Sequence, residues 1–146
     1  IYILTLKIIH QGFLFIKLYM KPTVSIVYTE ISVLQTLDKL LTEGGFQTFP
    51  YYSPEEALAW AQFRHPDIYL INYKNIHLNG VEFYQKLQET TDYYKLDLKA
   101  VFISSKPEVE QECREVGGLD FIHLPFESKK VVETMLKWSR AGKSFN

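Results

Sequence analysis

One cysteine, no excess of basic charge and no uninterrupted apolar stretch of membrane length set the first limits on this 146-residue chain. Cys113 has no second thiol to meet, so an internal disulfide is excluded, and the count fits a reducing cytoplasm. Lysine and arginine number 16 against 17 acids, giving a formal charge of −1. A chain without a basic field is not expected to bind nucleic acid. No nucleophile–base pair, glycine-rich phosphate loop or CxxC stands in the sequence, so no enzyme is expected.

Residues 1–19 lack any acid and are rich in Ile, Leu, Phe and Tyr. A membrane helix needs about 20 mostly apolar residues. Here Lys7, His10, Gln11, Gly12 and Lys17 interrupt the run, and no small-residue cleavage site follows it. Met20-Lys21-Pro22 reads as a natural beginning just ahead of the first strand. Residues 1–19 are therefore expected to be an extra segment outside the domain, which occupies residues 20–146. An added helix or strand, or a membrane anchor, are the alternatives. Lys7 and Lys17 are the only charged residues in that stretch, so without it the formal charge moves from −1 to −3.

Hydrophobic residues make up 47% of the chain and charged residues 23%, values of a globular domain with a real core. Aromatics reach 15%. Tyr51-Tyr52 and Tyr93-Tyr94 fall in expected loops, either as contact surface or folded back onto the core. Short apolar runs at 23–28, 46–52, 67–72, 100–104 and 119–123 read as strands. Helical spacing marks 30–43, 54–64, 81–89, 107–115 and 128–140. Ser53-Pro54-Glu55-Glu56 carries a cap, a first-turn proline and the spacing of a capping box. Strands alternating with helices predict an α/β fold, a doubly wound five-stranded parallel sheet with five helices.

The central stretch is 66–80, PDIYLINYKNIHLNG. Its apolar run, Ile68 to Ile71, is short enough for a strand buried on both faces, and it stops at Asn72. Ligands in such sheets sit where the strands end. Pro66, Asp67, Ile68, Leu70, Ile71, Leu78, Asn79 and Gly80 together resemble the middle of a bacterial response regulator receiver domain, the phosphoacceptor module of two-component signalling. The resemblance spans about residues 22–140 and implies strand order 2-1-3-4-5 in a flavodoxin-like receiver fold.

Position by position, the resemblance places the phosphoacceptor aspartate on Asn72. An amide has no nucleophilic carboxylate oxygen, so Asn72 cannot form an acyl phosphate. The magnesium-holding acidic pair falls on Tyr28 and Thr29, the Thr/Ser position on Ser104, and the phosphate-binding lysine on Leu124. Only the hydroxyl survives. The expectation is a degenerate receiver with no catalytic residues, no metal and no cofactor, its Mg²⁺ site lost. The resemblance also implies a cis Leu124-Pro125 bond and places the switch aromatic on Phe121. It implies a partner face on the fourth helix, fifth strand and fifth helix, here Phe121, Glu108, Glu112, Glu115, Lys129, Lys130 and Glu133. The expected partner is a signalling protein, with no membrane role unless residues 1–19 are an anchor. Two other functions stay open: a conventional single-domain phosphorelay regulator, and a small-ligand module lined by Tyr28, Asn72 and Ser104. Glu30 reads as helix-terminus electrostatics. Glu30, His77 and His123 form a two-histidine, one-carboxylate set that no spacing motif supports.

Overall fold

The computed structural model describes residues 20–140, so the readings made for residues 1–19 lie outside the described residues. Five strands are present: β1 (Thr23–Val27), β2 (Gln47–Tyr51), β3 (Ile68–Asn72), β4 (Ala100–Ser104) and β5 (Asp120–His123). All pair in parallel, in the order β2-β1-β3-β4-β5. The helices are α1 (Ile31–Glu43), α2 (Pro54–Trp60), α3 (Gly80–Tyr93), α4 (Glu110–Val116) and α5 (Ser128–Arg140), with a 3₁₀ turn, Pro107–Val109, leading into α4. The expected α/β class and strand order are what the chain adopts.

Strand alternation divides the apolar side chains into two cores. Val24, Ile26, Leu70, Val101 and Ile103 pack with Leu37, Leu41 and Met135 under α1 and α5. Val27, Ile71 and Phe102 pack with Phe83, Tyr84 and Leu87 under α3. Every residue of β3 and β4 is buried, as central strands of a sheet covered on both faces must be. No helix among the described residues is long and apolar enough to cross a membrane.

Two helices and one cap depart from expectation. α3 runs on to Tyr93, beyond residue 89, because Thr91 is buried and its hydroxyl donates to the Gln88 carbonyl at 3.1 Å. That spends the polar group locally and extends the Tyr84-Leu87-Thr91 face by another turn. α2 stops at Trp60, short of residue 64. Arg64 instead donates to the Tyr51 hydroxyl at 2.8 Å and stacks on Phe49 and Trp60. The reciprocal capping box forms at Asn79 and Glu82 on α3. At α2, Ser53 caps the Glu56 amide but turns its own proton to Glu55. Of the paired tyrosines, Tyr51 is buried, while Tyr52, Tyr93 and Tyr94 are exposed.

Candidate functional site

Asn72 ends β3 at the carboxyl edge of the sheet and is 6% exposed. Its Nδ2 donates to the Lys74 carbonyl at 3.0 Å, so the amide is turned onto its own loop. That loop is tightly closed. The Gly80 amide donates to the Tyr73 carbonyl at 2.7 Å. A Cβ on Gly80 would lie 2.8 Å from the Asn72 carbonyl oxygen and 2.9 Å from the Tyr73 Cα, so only glycine lets α3 start this close to the strand.

Asn75, a residue sequence reasoning missed, joins the two central strand ends. Its Nδ2 donates to the Asn72 carbonyl at 2.7 Å, and its Oδ1 accepts from the Thr29 amide at 3.1 Å. Thr29 returns the tie, its hydroxyl accepting from the Ile76 amide at 3.2 Å. The signal available was an asparagine three residues past a strand end, a residue type suited to bonding nearby backbone. Ser104 is buried, and its hydroxyl accepts from the Lys106 amide at 3.0 Å, which is a backbone-satisfying role. The Leu124 amide donates to the Ser104 carbonyl at 3.0 Å, and the Leu124–Pro125 bond is cis.

Tyr28 is almost fully buried, at 3% exposure. Its ring is buried in the core beneath α1 and α5, the cluster against which Leu124 also packs. Burial raises the phenol above its usual range, with the Glu30 charge adding to it. The depression beside this edge is lined instead by Thr29, Tyr52, Pro54, Ile76 and His77. The expected small-ligand lining of Tyr28, Asn72 and Ser104 is thus packed and hydrogen-bonded inside the edge. Glu30 occupies the cap position of α1 without a side-chain cap bond. Glu30, His77 and His123 do not come together: no group of three metal-capable side chains is found among the described residues.

The opposite side of the site is charged. His123 Nε2 lies 2.8 Å from Glu110 Oε1, and Arg114 Nε donates to Glu110 Oε2 at 2.9 Å. Arg114 Nη2 donates to Asp120 Oδ1 at 3.2 Å, and the Trp138 indole donates to Asp120 Oδ2 at 2.9 Å. This ladder ties α4 to β5 and β5 to α5. Bonding from Arg114, aided by His123, holds the Glu110 carboxyl below its ordinary range against a smaller desolvation. Burial pushes the Asp120 carboxyl up, but bonds from Trp138, the Phe121 amide and Arg114 outweigh it and leave it low. Phe121, expected on the partner face, is 6% exposed and lies beneath that face, its ring edge-on to the His123 ring at 4.8 Å. Apolar burial between strand and helix outweighs exposure for a ring that can reach the core. Glu108, Glu112, Glu115, Lys129, Lys130 and Glu133 are on the surface. Burial pushes the Cys113 thiol up to about 12, so it is a packing residue.

With fold and edge in hand, the chain matches the family model described as the response regulator receiver domain over residues 24–136. It belongs to the receiver domain family. Among curated proteins it is 28% identical over 115 residues to the transcriptional regulatory protein FixJ of Rhizobium meliloti, covering 77% of this chain and 54% of FixJ. It is 25% identical over 111 residues to hybrid signal transduction histidine kinase C of Dictyostelium discoideum, covering 72% of this chain and 9% of the kinase. The chain thus spans about half the length of FixJ and far less of the kinase. The solved structure of FixJ-N superposes with a TM-score of 0.74 at 26% identity, covering 83% of this chain and 95% of that one. Chemotaxis protein CheY4 of Vibrio cholerae, at 23% identity and a TM-score of 0.69, covers 80% of this chain and 98% of its own, and shows the shared fold.

A receiver's magnesium site does not fit these side chains. The resemblance places its carboxylates at Tyr28, Thr29 and Asn72, where the chain offers a buried phenol, a hydroxyl already accepting a bond, and an amide whose donor points at Lys74. Mg²⁺ takes hard, preferably anionic oxygens in octahedral array.

Proposed function

We propose that this receiver domain signals by docking a protein partner without being phosphorylated. Asn72 carries the reading: at the place where the resemblance sets the phosphoacceptor stands an amide that is buried and bonded to its own loop. The neutral side chains around it support the same view, since an acid cluster without its cation would be costly to bury. The docking face is the exposed surface of the 3₁₀ turn, α4 and α5, with Glu108, Glu112 and Glu115 from the turn and α4 and Lys129 and Lys130 from α5. Family membership favours a second reading, a conventional phosphorelay regulator, and Asn72 is what opposes it.

Incubation with acetyl phosphate and Mg²⁺, followed by intact-mass measurement, separates the two. The expected result is an unchanged mass. A gain of one phosphoryl group, lost in hydroxylamine, overturns the proposal. A pull-down from lysate of the source cells should then recover the same protein with wild type and with Asn72→Asp, whether or not acetyl phosphate is present. Charge reversal at Glu108 and Glu112 together should abolish that recovery.

A further inference from the structure

A belt of uncovered rings lies at the end of the sheet opposite Asn72. α3 starts against the Asn72 carbonyl and runs back along the sheet, so Tyr93 and Tyr94 close it where the strands begin. There Tyr94 meets the His65 ring at 6.1 Å. Asp67, two residues further on, accepts from the Thr23 amide at the start of β1 at 2.8 Å. Tyr93 stands edge-on to Tyr94 at 4.9 Å, and Trp60, the last residue of α2, stands edge-on to Phe63 at 6.5 Å. Arg64 lies over the Trp60 ring and leads the chain into His65, so the two ring pairs are joined. Trp60, Phe63, Tyr93 and Tyr94 are 43%, 77%, 79% and 44% exposed. We propose that this belt is a self-association surface through which two copies of the chain pair about a twofold axis.

Area is the first argument for a second copy. At roughly 200 Å² per aromatic side chain, these exposures leave about 500 Å² of ring surface in water. Single apolar side chains on a surface need no explanation, but a joined patch of about 300–600 Å² is often functional. Two copies meeting through it would cover about 1,000 Å² from the rings alone, which reaches the lower bound of a specific interface. Charge is the second argument, because a twofold axis sets each patch against itself. The one arginine in the belt is already engaged, by the Tyr51 hydroxyl at 2.8 Å and by the Phe49 and Trp60 rings. Asp92 and Lys95, which flank the tyrosine pair, are opposite in sign, so the rim carries no net charge to repel a second copy. The belt uses none of the docking-face residues on α4 and α5. A pair would therefore present two such faces and hold a dimeric target by avidity. That consequence rests on the docking reading, while the pairing itself does not.

Sedimentation equilibrium of the full chain, from about 1 to about 500 µM, tests the pairing. The expected result is a mass that rises from one chain to two, with a dissociation constant on the order of 10–100 µM, the weak end for an interface of this size. Phe63→Asp and Tyr93→Asp should each weaken the pairing about tenfold or more, since each removes a ring and sets a charge against its own copy across the axis. Both positions are exposed, so the urea midpoint of the chain should stay where it is. Glu108→Lys combined with Glu112→Lys, on the docking face, should leave the pairing unchanged. A single-chain mass at every concentration overturns the proposal. So does a dimer that survives both ring variants, or one that the docking-face variant abolishes. A monomer that co-sediments with phosphatidylcholine vesicles also overturns it and assigns the rings to lipid. Partner capture needs no pairing, so the two proposals fail separately.

Discussion

The edge around Asn72 and the face over β5 are a few residues apart and are built from opposite materials. At the edge, Thr29, Asn72, Asn75 and Ser104 hold the chain with neutral side chains bonded to backbone groups. On the face, Glu110, Arg114 and Asp120 hold helix to strand with alternating charges, and His123 bonds to Glu110. Neutral bonds to buried backbone respond little to salt or pH, while partly exposed charges respond to both. The neutral edge is thus the part expected to stay fixed, and the charged face the part expected to respond to salt and pH.

The sharpest way to break the fixed side is Gly80→Ala. The new Cβ meets backbone on two sides, the Asn72 carbonyl and the Tyr73 Cα, and backbone gives way less easily than a side-chain tip. A loss of about 3 kcal/mol is expected in urea unfolding, independent of salt. Asn75→Ala comes next. It strips the Thr29 amide and the Asn72 carbonyl of their partner at part-buried positions, at a cost of about 2 kcal/mol, again independent of salt and of pH between 5 and 8. If either loss shrinks markedly in high salt, the contrast between the two regions is wrong.

On the charged side, Asp120→Asn should cost about 1 kcal/mol at pH 7. The direction with pH follows from linkage. The carboxyl lies lower in the folded chain than unfolded, so its stabilisation is present above the unfolded value, about 3.9, and is lost as pH falls through the folded one. The stability curves of wild type and variant should therefore converge below about pH 4. Parallel curves down to the acid transition would show that Asp120 matters only as a neutral acceptor for Trp138.

Much of the first region was legible in the sequence. The apolar run before Asn72 and the turn residues Asn79-Gly80 located β3 and the start of α3, because strand burial and helix capping are local. The family resemblance then put Tyr28, Thr29, Ser104 and Leu124 near one end of the sheet. It did not say which way they face. Tyr28 turning into the core, and Asn75 taking the central place, depend on side-chain choices among alternatives of similar local cost. The ladder was invisible for a different reason. Glu110 and Arg114 read as ordinary surface residues of a helix, and only the crossover that lays α4 beside β5 makes partners of Glu110 and His123, thirteen positions apart. Phe121 was misplaced because exposure of one ring on a strand is decided by how closely the neighbouring helix sits, which periodicity does not encode.

A side-chain hydrogen bond also spans the two regions, and breaking it is the finest test of their independence. The Tyr73 hydroxyl, in the loop that Asn72 anchors, donates to Glu112 Oε2 on α4 at 3.3 Å. The bond is long and exposed, so Tyr73→Phe should change stability by less than about 0.5 kcal/mol. Its interest lies in coupling. If edge and face are mechanically separate, the effects of Asn75→Ala and Glu110→Gln on hydrogen-exchange protection of the α4 amides should simply add, with Tyr73 or with phenylalanine at that place. If Tyr73 transmits, the two should couple in the tyrosine background and add in the other. Coupling through Tyr73 would mean that the sheet edge at Asn72 reaches α4 through this one side-chain hydrogen bond.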